Sequence, residues 1–220
     1  MIEDSHGFNR VECQLKMDKN RKYEFIGYID QYLREVEYIT NNINRTIIDS
    51  FISAINDVRA GGERGRLFVL GVGGSAANAS HSCNDFRKIL NIETYTPTDN
   101  TAELTARVND DGWETCFSNW LKVSKVNKKD TVLVFSVGGG SNETSLNIVR
   151  AMEFAKERGA KILSVVSRDG GRARELSDVC VLIPPLNNKR ITGHAEEWQG
   201  IILHLAVNCL AEKDSRELLK

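Results

Sequence analysis

Sixteen residues, Arg66 to His81, read R-L-F-V-L-G-V-G-G-S-A-A-N-A-S-H. Leu67 to Leu70 is a short unbroken apolar run, with Gly61-Gly62 behind it and Gly71 ahead. A run of that length bounded by glycine reads as a strand covered on both faces, and such strands belong to parallel sheets. Gly71, Gly73 and Gly74 then allow a sharp turn whose backbone can lie against a ligand. Ser75 follows, where Ala76, Ala77 and Ala79 favour a helix. Strand, glycine turn, hydroxyl and helix N-terminus together form a cradle of N–H groups for an anion, with phosphate the natural guest.

A second unit repeats the pattern. Thr131–Phe135 (T-V-L-V-F) runs into Ser136-Val137-Gly138-Gly139-Gly140-Ser141-Asn142-Glu143-Thr144-Ser145, and a helix is expected from Leu146 to Arg158. Further strands are expected at Ile92–Tyr95, Lys161–Ser167 and Val179–Ile183, with helices at Ala76–Leu90, Thr101–Val108, Trp113–Val123, Arg172–Leu176 and Glu196–Leu210. Asn109-Asp110-Asp111-Gly112 reads as a turn, and Trp113, Phe117 and Trp120 as inward-facing. Strands alternating with helices on short connections give an α/β fold: a three-layer, flavodoxin-like open parallel sheet of about five strands. Apolar residues at three- and four-residue steps from Ile29 to Ile55 add an N-terminal helix or helix pair, for core packing, subunit association or both. Residues 1–22 read as a polar arm and 23–220 as one domain.

A formal net charge of −1 supplies no field for nucleic acid or anionic lipid. No apolar run approaches the roughly 20 residues that span a bilayer. The start, Met1-Ile2-Glu3-Asp4, lacks the pattern of a signal peptide. Cys13, Cys83, Cys116, Cys180 and Cys209 form no C-x-x-C pair and read as reduced core or near-core thiols of a cytoplasmic protein.

The first glycine turn matches a dinucleotide fingerprint only in part. Ala76 replaces its third glycine, although Glu93 stands at the distance of a ribose-binding acid. No G-K-[ST] follows either glycine run, which leaves a triphosphate loop unsupported. Hydroxyls at Ser141, Thr144 and Ser145, with loop amides, suit a small phosphate monoester. His81 and Asp85 share a helix face at i,i+4. Glu196, Glu197 and His204 complement them late in the chain; His194 reads as peripheral, in a mobile approach segment. On an unbroken helix Glu196 and His204 stand about 12 Å apart, so a shared ligand requires unwinding near Glu196 or more than one subunit. Two histidines and two carboxylates suit Zn²⁺.

These pieces, in this order, resemble the sugar isomerase (SIS) domain family, and within it the phosphoheptose isomerases that act on sedoheptulose 7-phosphate. The resemblance runs from about Tyr23 to Leu210. It rests on Gly71–His81, Thr98–Gly112 (T-D-N-T-A-E-L-T-A-R-V-N-D-D-G), the Ser136–Ser145 loop, S-R-D-G-G at Ser167–Gly171 and the Glu196–His204 helix. It implies a homotetramer with active sites at subunit interfaces, Ser/Thr loops that grip a sugar phosphate and, in some members, Zn²⁺. It implies Ser75, Asn78, Ser141, Asn142, Thr144, Ser145, Asp99 and Asp169 as substrate or phosphate ligands. His81, Asp85, Glu196 and His204 would be metal ligands, with Asp85 or Glu196 the base and His204 the acid. The chain departs from the family where Asp85 replaces Glu, Glu196 replaces Gln and Val72 replaces Asn. Its second loop is also longer, carrying Gly138-Gly139-Gly140 before the hydroxyls. The expected activity is aldose–ketose isomerisation of sedoheptulose 7-phosphate to a heptose 7-phosphate through an enediol. A non-catalytic phosphosugar-binding regulatory protein, or an isomerase of another ketose phosphate, would share most of these features.

Overall fold

A computed structural model describes residues 23–60 and 65–218; the expected N-terminal arm, with His6 and Cys13, lies outside the described residues. The chain runs α1 (Ile26–Asn42), α2 (Arg45–Ala60), β1 (Leu67–Leu70), α3 (Gly74–Lys88), β2 (Thr94–Tyr95), α4 (Thr101–Asp111), α5 (Cys116–Val123), β3 (Thr131–Phe135), α6 (Leu146–Glu157), β4 (Lys161–Val166), α7 (Gly171–Leu176), β5 (Val179–Leu182) and α8 (Ile191–Leu218). The five strands pair in the order β2-β1-β3-β4-β5, and every pairing is parallel. The expected three-layer parallel fold is the one observed.

Side chains alternate across the sheet and set two cores. Leu67, Val69, Leu133, Phe135, Leu163 and Val165 point to the face covered by α2, α3 and α8. Phe68, Leu70, Val132, Val134 and Ile162 point to the other, against Phe117 and Leu121 of α5 and Ile148 and Met152 of α6. β1 and β3, fully buried, carry the unbroken apolar runs that such a position demands.

Several local expectations differ from the structure. α4 continues through Asn109-Asp110-Asp111 because Arg107 bridges Glu103 at 2.7 Å and Asp111 at 3.8 Å along one helix face. Only Gly112, at φ +81°, breaks the chain there. Trp113 lies half exposed before α5 and meets Phe117 ring to ring at 6.0 Å, whereas Phe117 and Trp120 are buried as expected. Cys83 and Cys116 are buried, but Cys209 is exposed. α8 starts five residues before the expected Glu196 and runs unbroken beyond Leu210. Its first turn is tied to α1: Arg190 donates to Glu35 at 2.8 and 2.5 Å, and His194 Nε2 lies 2.8 Å from the same carboxylate. His194 is therefore a buried helical residue rather than a peripheral one. Among the described residues no helix is long and apolar enough to cross a membrane.

Candidate active site

The strand order reverses direction between β1 and β3, and parallel sheets of this order take ligands outside the carboxyl ends of the strands at that point. A cavity of about 420 Å³ lies there. Ser75, from the turn after β1, lines it together with Ser141, Thr144 and Ser145, from the turn after β3. The two hydroxyl-bearing turns, with Ser75 and Ser141 66 residues apart in sequence, thus face one space.

Local packing fixes each turn. Gly71 abuts the Ser75 backbone so closely that a side chain there would collide with it. Gly73, at φ +65°, opens α3 with no side-chain cap. The three glycines of the second turn have an equally physical cause. Arg172 N–H donates to Gly140 O and Ala173 N–H to Gly139 O, each at 2.9 Å, so the carbonyls of this turn satisfy the first amides of α7. Gly139 and Gly140 are left-handed, and a Cβ on the first would strike Gly170 O. The extra residues form the interlock between the turns after β3 and β4. Within the turn, Ser141 Oγ accepts from Thr144 N–H at 3.0 Å and Glu143 N–H at 3.2 Å, which leaves its own proton to donate.

The remaining expected ligands are placed unevenly. Asp169 lines the cavity, with Oδ1 accepting from Gly171 N–H at 3.1 Å. Asn142 is not among the lining residues. Asn78 donates to Glu196 O at 2.8 Å and Gln199 Oε1 at 3.1 Å, which ties α3 to α8. Asp99 accepts from Ser80 and lines a separate hollow with Cys83, Arg87 and Tyr95.

A second group forms where α3 meets α8. Asp85 Oδ2 lies 3.2 Å from His81 Nε2 and 3.6 Å from His204 Nε2, and the two imidazole nitrogens are 3.4 Å apart. Asp85 is buried while both histidine side chains are half exposed, so the group opens outward. Zn–N and Zn–O bonds of about 2.0–2.1 Å in a tetrahedron hold ligand atoms about 3.3 Å apart, the spacing found here. The donor set, one carboxylate and two imidazoles, also fits zinc, and three protein ligands leave a fourth position open. Glu196, expected as a further ligand, is not brought into this group. α8 is unbroken, and the Glu196 carboxylate rests on Gly74, where it leaves no room for a side chain.

Sequence reasoning passed over three residues. Arg168 lines the same cavity as Ser75 and Ser141. Glu35 and Tyr32, on α1, anchor the first turn of α8: the Tyr32 hydroxyl donates to Glu197 at 2.6 Å. Burial and the Glu197 carboxylate push the Tyr32 phenol up to about 12. Arg190, aided by His194 and against the cost of burial, holds the Glu35 carboxyl down at about 2. A periodic apolar stripe hid Glu35; only its long-range partners reveal it.

With this geometry in view, the chain proves similar to known proteins. The model of the SIS domain family matches residues 28–167, and the chain belongs to that family. A phosphoheptose isomerase of Geobacter sulfurreducens is 31% identical over 171 residues, covering 76% of this chain and 84% of that protein. One of Helicobacter pylori (strain P12) is 30% identical over 152 residues, 67% and 74% of the two chains. The lincomycin biosynthesis protein LmbN of Streptomyces lincolnensis is 32% identical over 152 residues, 64% of this chain and 54% of that one. The structure of the phosphoheptose isomerase GmhA from Neisseria gonorrhoeae shares the fold, with a TM-score of 0.71 at 22% identity over 84% of this chain and 96% of that one.

Proposed function

We propose that this protein is an aldose–ketose isomerase of sugar phosphates, with sedoheptulose 7-phosphate as substrate. The observation that carries the reading is the meeting of Asp85 with His81 and His204. A protein that only bound phosphosugars would need the cavity and not this group. Similarity to named phosphoheptose isomerases supports the choice of substrate.

The substrate phosphate docks against the hydroxyls of Ser75, Ser141, Thr144 and Ser145, which offer donors to its oxygens. Isomerisation removes a proton from C1 of the open-chain ketose, next to the C2 carbonyl. The C–H electron pair becomes the C1–C2 double bond of an enediol as O2 takes up a proton. Return of a proton to C2, with loss of the O1 proton, leaves the aldehyde. Asp85 is the base and His204 the acid, since an imidazole exchanges protons near neutrality. Glu196 is set aside as base because it stays about 12 Å from His204 along α8. His81, Asp85 and His204 would instead hold Zn²⁺ where the ion is bound; it would then supply polarisation of the substrate carbonyl, and the atoms given to it would no longer serve as acid or base.

His81 lies six residues beyond Ser75, about 9 Å along α3 and on a different face. Neither histidine nor Asp85 lines the phosphate cavity. The resemblance to the SIS family supports a site completed between copies of the chain, in a homotetramer. The exposed apolar residues of α1, among them Tyr28, Ile29 and Leu33, supply a contact surface. The test is proton exchange in D₂O with sedoheptulose 7-phosphate. Deuterium at C2 of recovered aldose is the expected result; tight binding without exchange would identify a sensor instead.

A further inference from the structure

We propose that Arg168 is the cationic arm of the phosphate cavity, and that it makes the cavity selective for a terminal phosphate monoester in its dianionic form. This deepens the preceding reading and rests on it: the cavity must take a phosphate at all. Among the described residues that line the cavity, Arg168 is the sole cation and Asp169 the sole anion. Hydroxyls facing a carboxylate make a poor seat for a doubly charged guest, and a guanidinium in the same wall reverses that balance.

Three observations place the side chain. A Cβ on Gly138 would stand 3.4 Å from Arg168 Cδ and 3.7 Å from Nε, so the side chain reaches back across the second glycine turn. Second, the neighbouring carboxylate has one oxygen engaged by Gly171 N–H. Among the described residues no carboxylate or carbonyl is hydrogen-bonded to the Arg168 guanidinium, whereas Arg66, Arg107 and Arg190 all hold carboxylates. Third, Arg168 has a left-handed backbone, φ +56°. Four non-glycine residues among those described do so, and two of them, Ser145 and Arg168, line this one cavity. Left-handed backbone disfavours an arginine, and strain of this kind concentrates where ligands are held.

The chemistry follows from the fork. A guanidinium presents two parallel N–H donors and matches two oxygens on one phosphorus. A terminal monoester offers three such oxygens and, near neutral pH, close to two charges. A diester offers two oxygens and one charge.

The test compares wild type, R168Q, R168K, R168G and S75A by calorimetric titration with inorganic phosphate and with sedoheptulose 7-phosphate. R168Q should weaken both by more than about tenfold and raise KM while leaving kcat within about threefold, and R168K should recover part of the loss. R168G separates binding from structure: it relieves the left-handed backbone and should raise Tm while weakening phosphate. If S75A weakens binding but R168Q and R168G bind within about threefold of wild type, the role of Arg168 is overturned and the phosphate cavity stands. If wild type binds neither probe, or S75A binds as wild type does, the cavity itself is refuted and Arg168 with it.

Discussion

At the scale of single residues, the proposed function divides binding from chemistry between the cavity and the His81–Asp85–His204 group, and substitutions should separate them. S75A removes a hydroxyl that lines the cavity; donated to a charged phosphate, such a hydrogen bond is worth about 1.5–3 kcal/mol. Titration should show binding weakened by that amount with kcat little changed. H204Q should abolish turnover and leave sugar-phosphate binding within about tenfold, because His204 does not line the cavity. The same substitution removes one of the three donors that meet at Asp85, so competition with a chromogenic chelator should show Zn²⁺ affinity reduced at least about tenfold. Near-wild-type kcat in H204Q would refute its role as acid. Ser75, Ser141, Thr144 and Ser145 were legible because each follows a buried strand and a glycine turn, a local pattern. Arg168 was not: its meaning lies in the wall it shares with residues from two other turns. Within one chain Glu196 is not brought to His81, Asp85 and His204; the sequence hid this because spacing does not say which face of α8 meets which end of α3.

At the scale of elements, the sheet was readable because buried parallel strands are unbroken apolar runs, as in Val132–Phe135. Helix ends were less so, since long-range ties set them. The first turn of α8 is held by Glu35, 155 residues from Arg190, and local pattern carries no trace of that pairing. The tie has a pH signature. The folded-state carboxyl of Glu35 is held at about 2, below its ordinary 4.5. Its contribution is therefore complete above pH 4.5 and lost as pH falls toward 2. E35Q should flatten the urea-melt stability profile across that acid window and cost stability at pH 7; an unchanged acid limb would show that the pair does not anchor α8. The interlock of glycine turns makes a second demand. G139A would force a side chain into Gly170 O at a left-handed position, and should lower stability by more than about 1 kcal/mol in the same melts.

At the scale of the whole molecule, α1 enters the core at Ile39 and leaves Ile26, Ile29 and Leu33 about half exposed or more. On the proposed reading, that surface, with a His81–Asp85–His204 group that does not line the cavity, makes association the condition for activity. I29E/L33E should yield a folded, smaller species by sedimentation that keeps phosphate binding and loses isomerisation. An active monomer would contradict this. The most direct measurement is a crystal structure of the full chain with sedoheptulose 7-phosphate bound. The phosphorus should lie within hydrogen-bonding reach of Ser75 and Ser145, and C1 and C2 should face a His81–Asp85–His204 group, completed by a neighbouring copy. A phosphate seated elsewhere, or sugar carbons turned away from every copy of that group, would contradict the account.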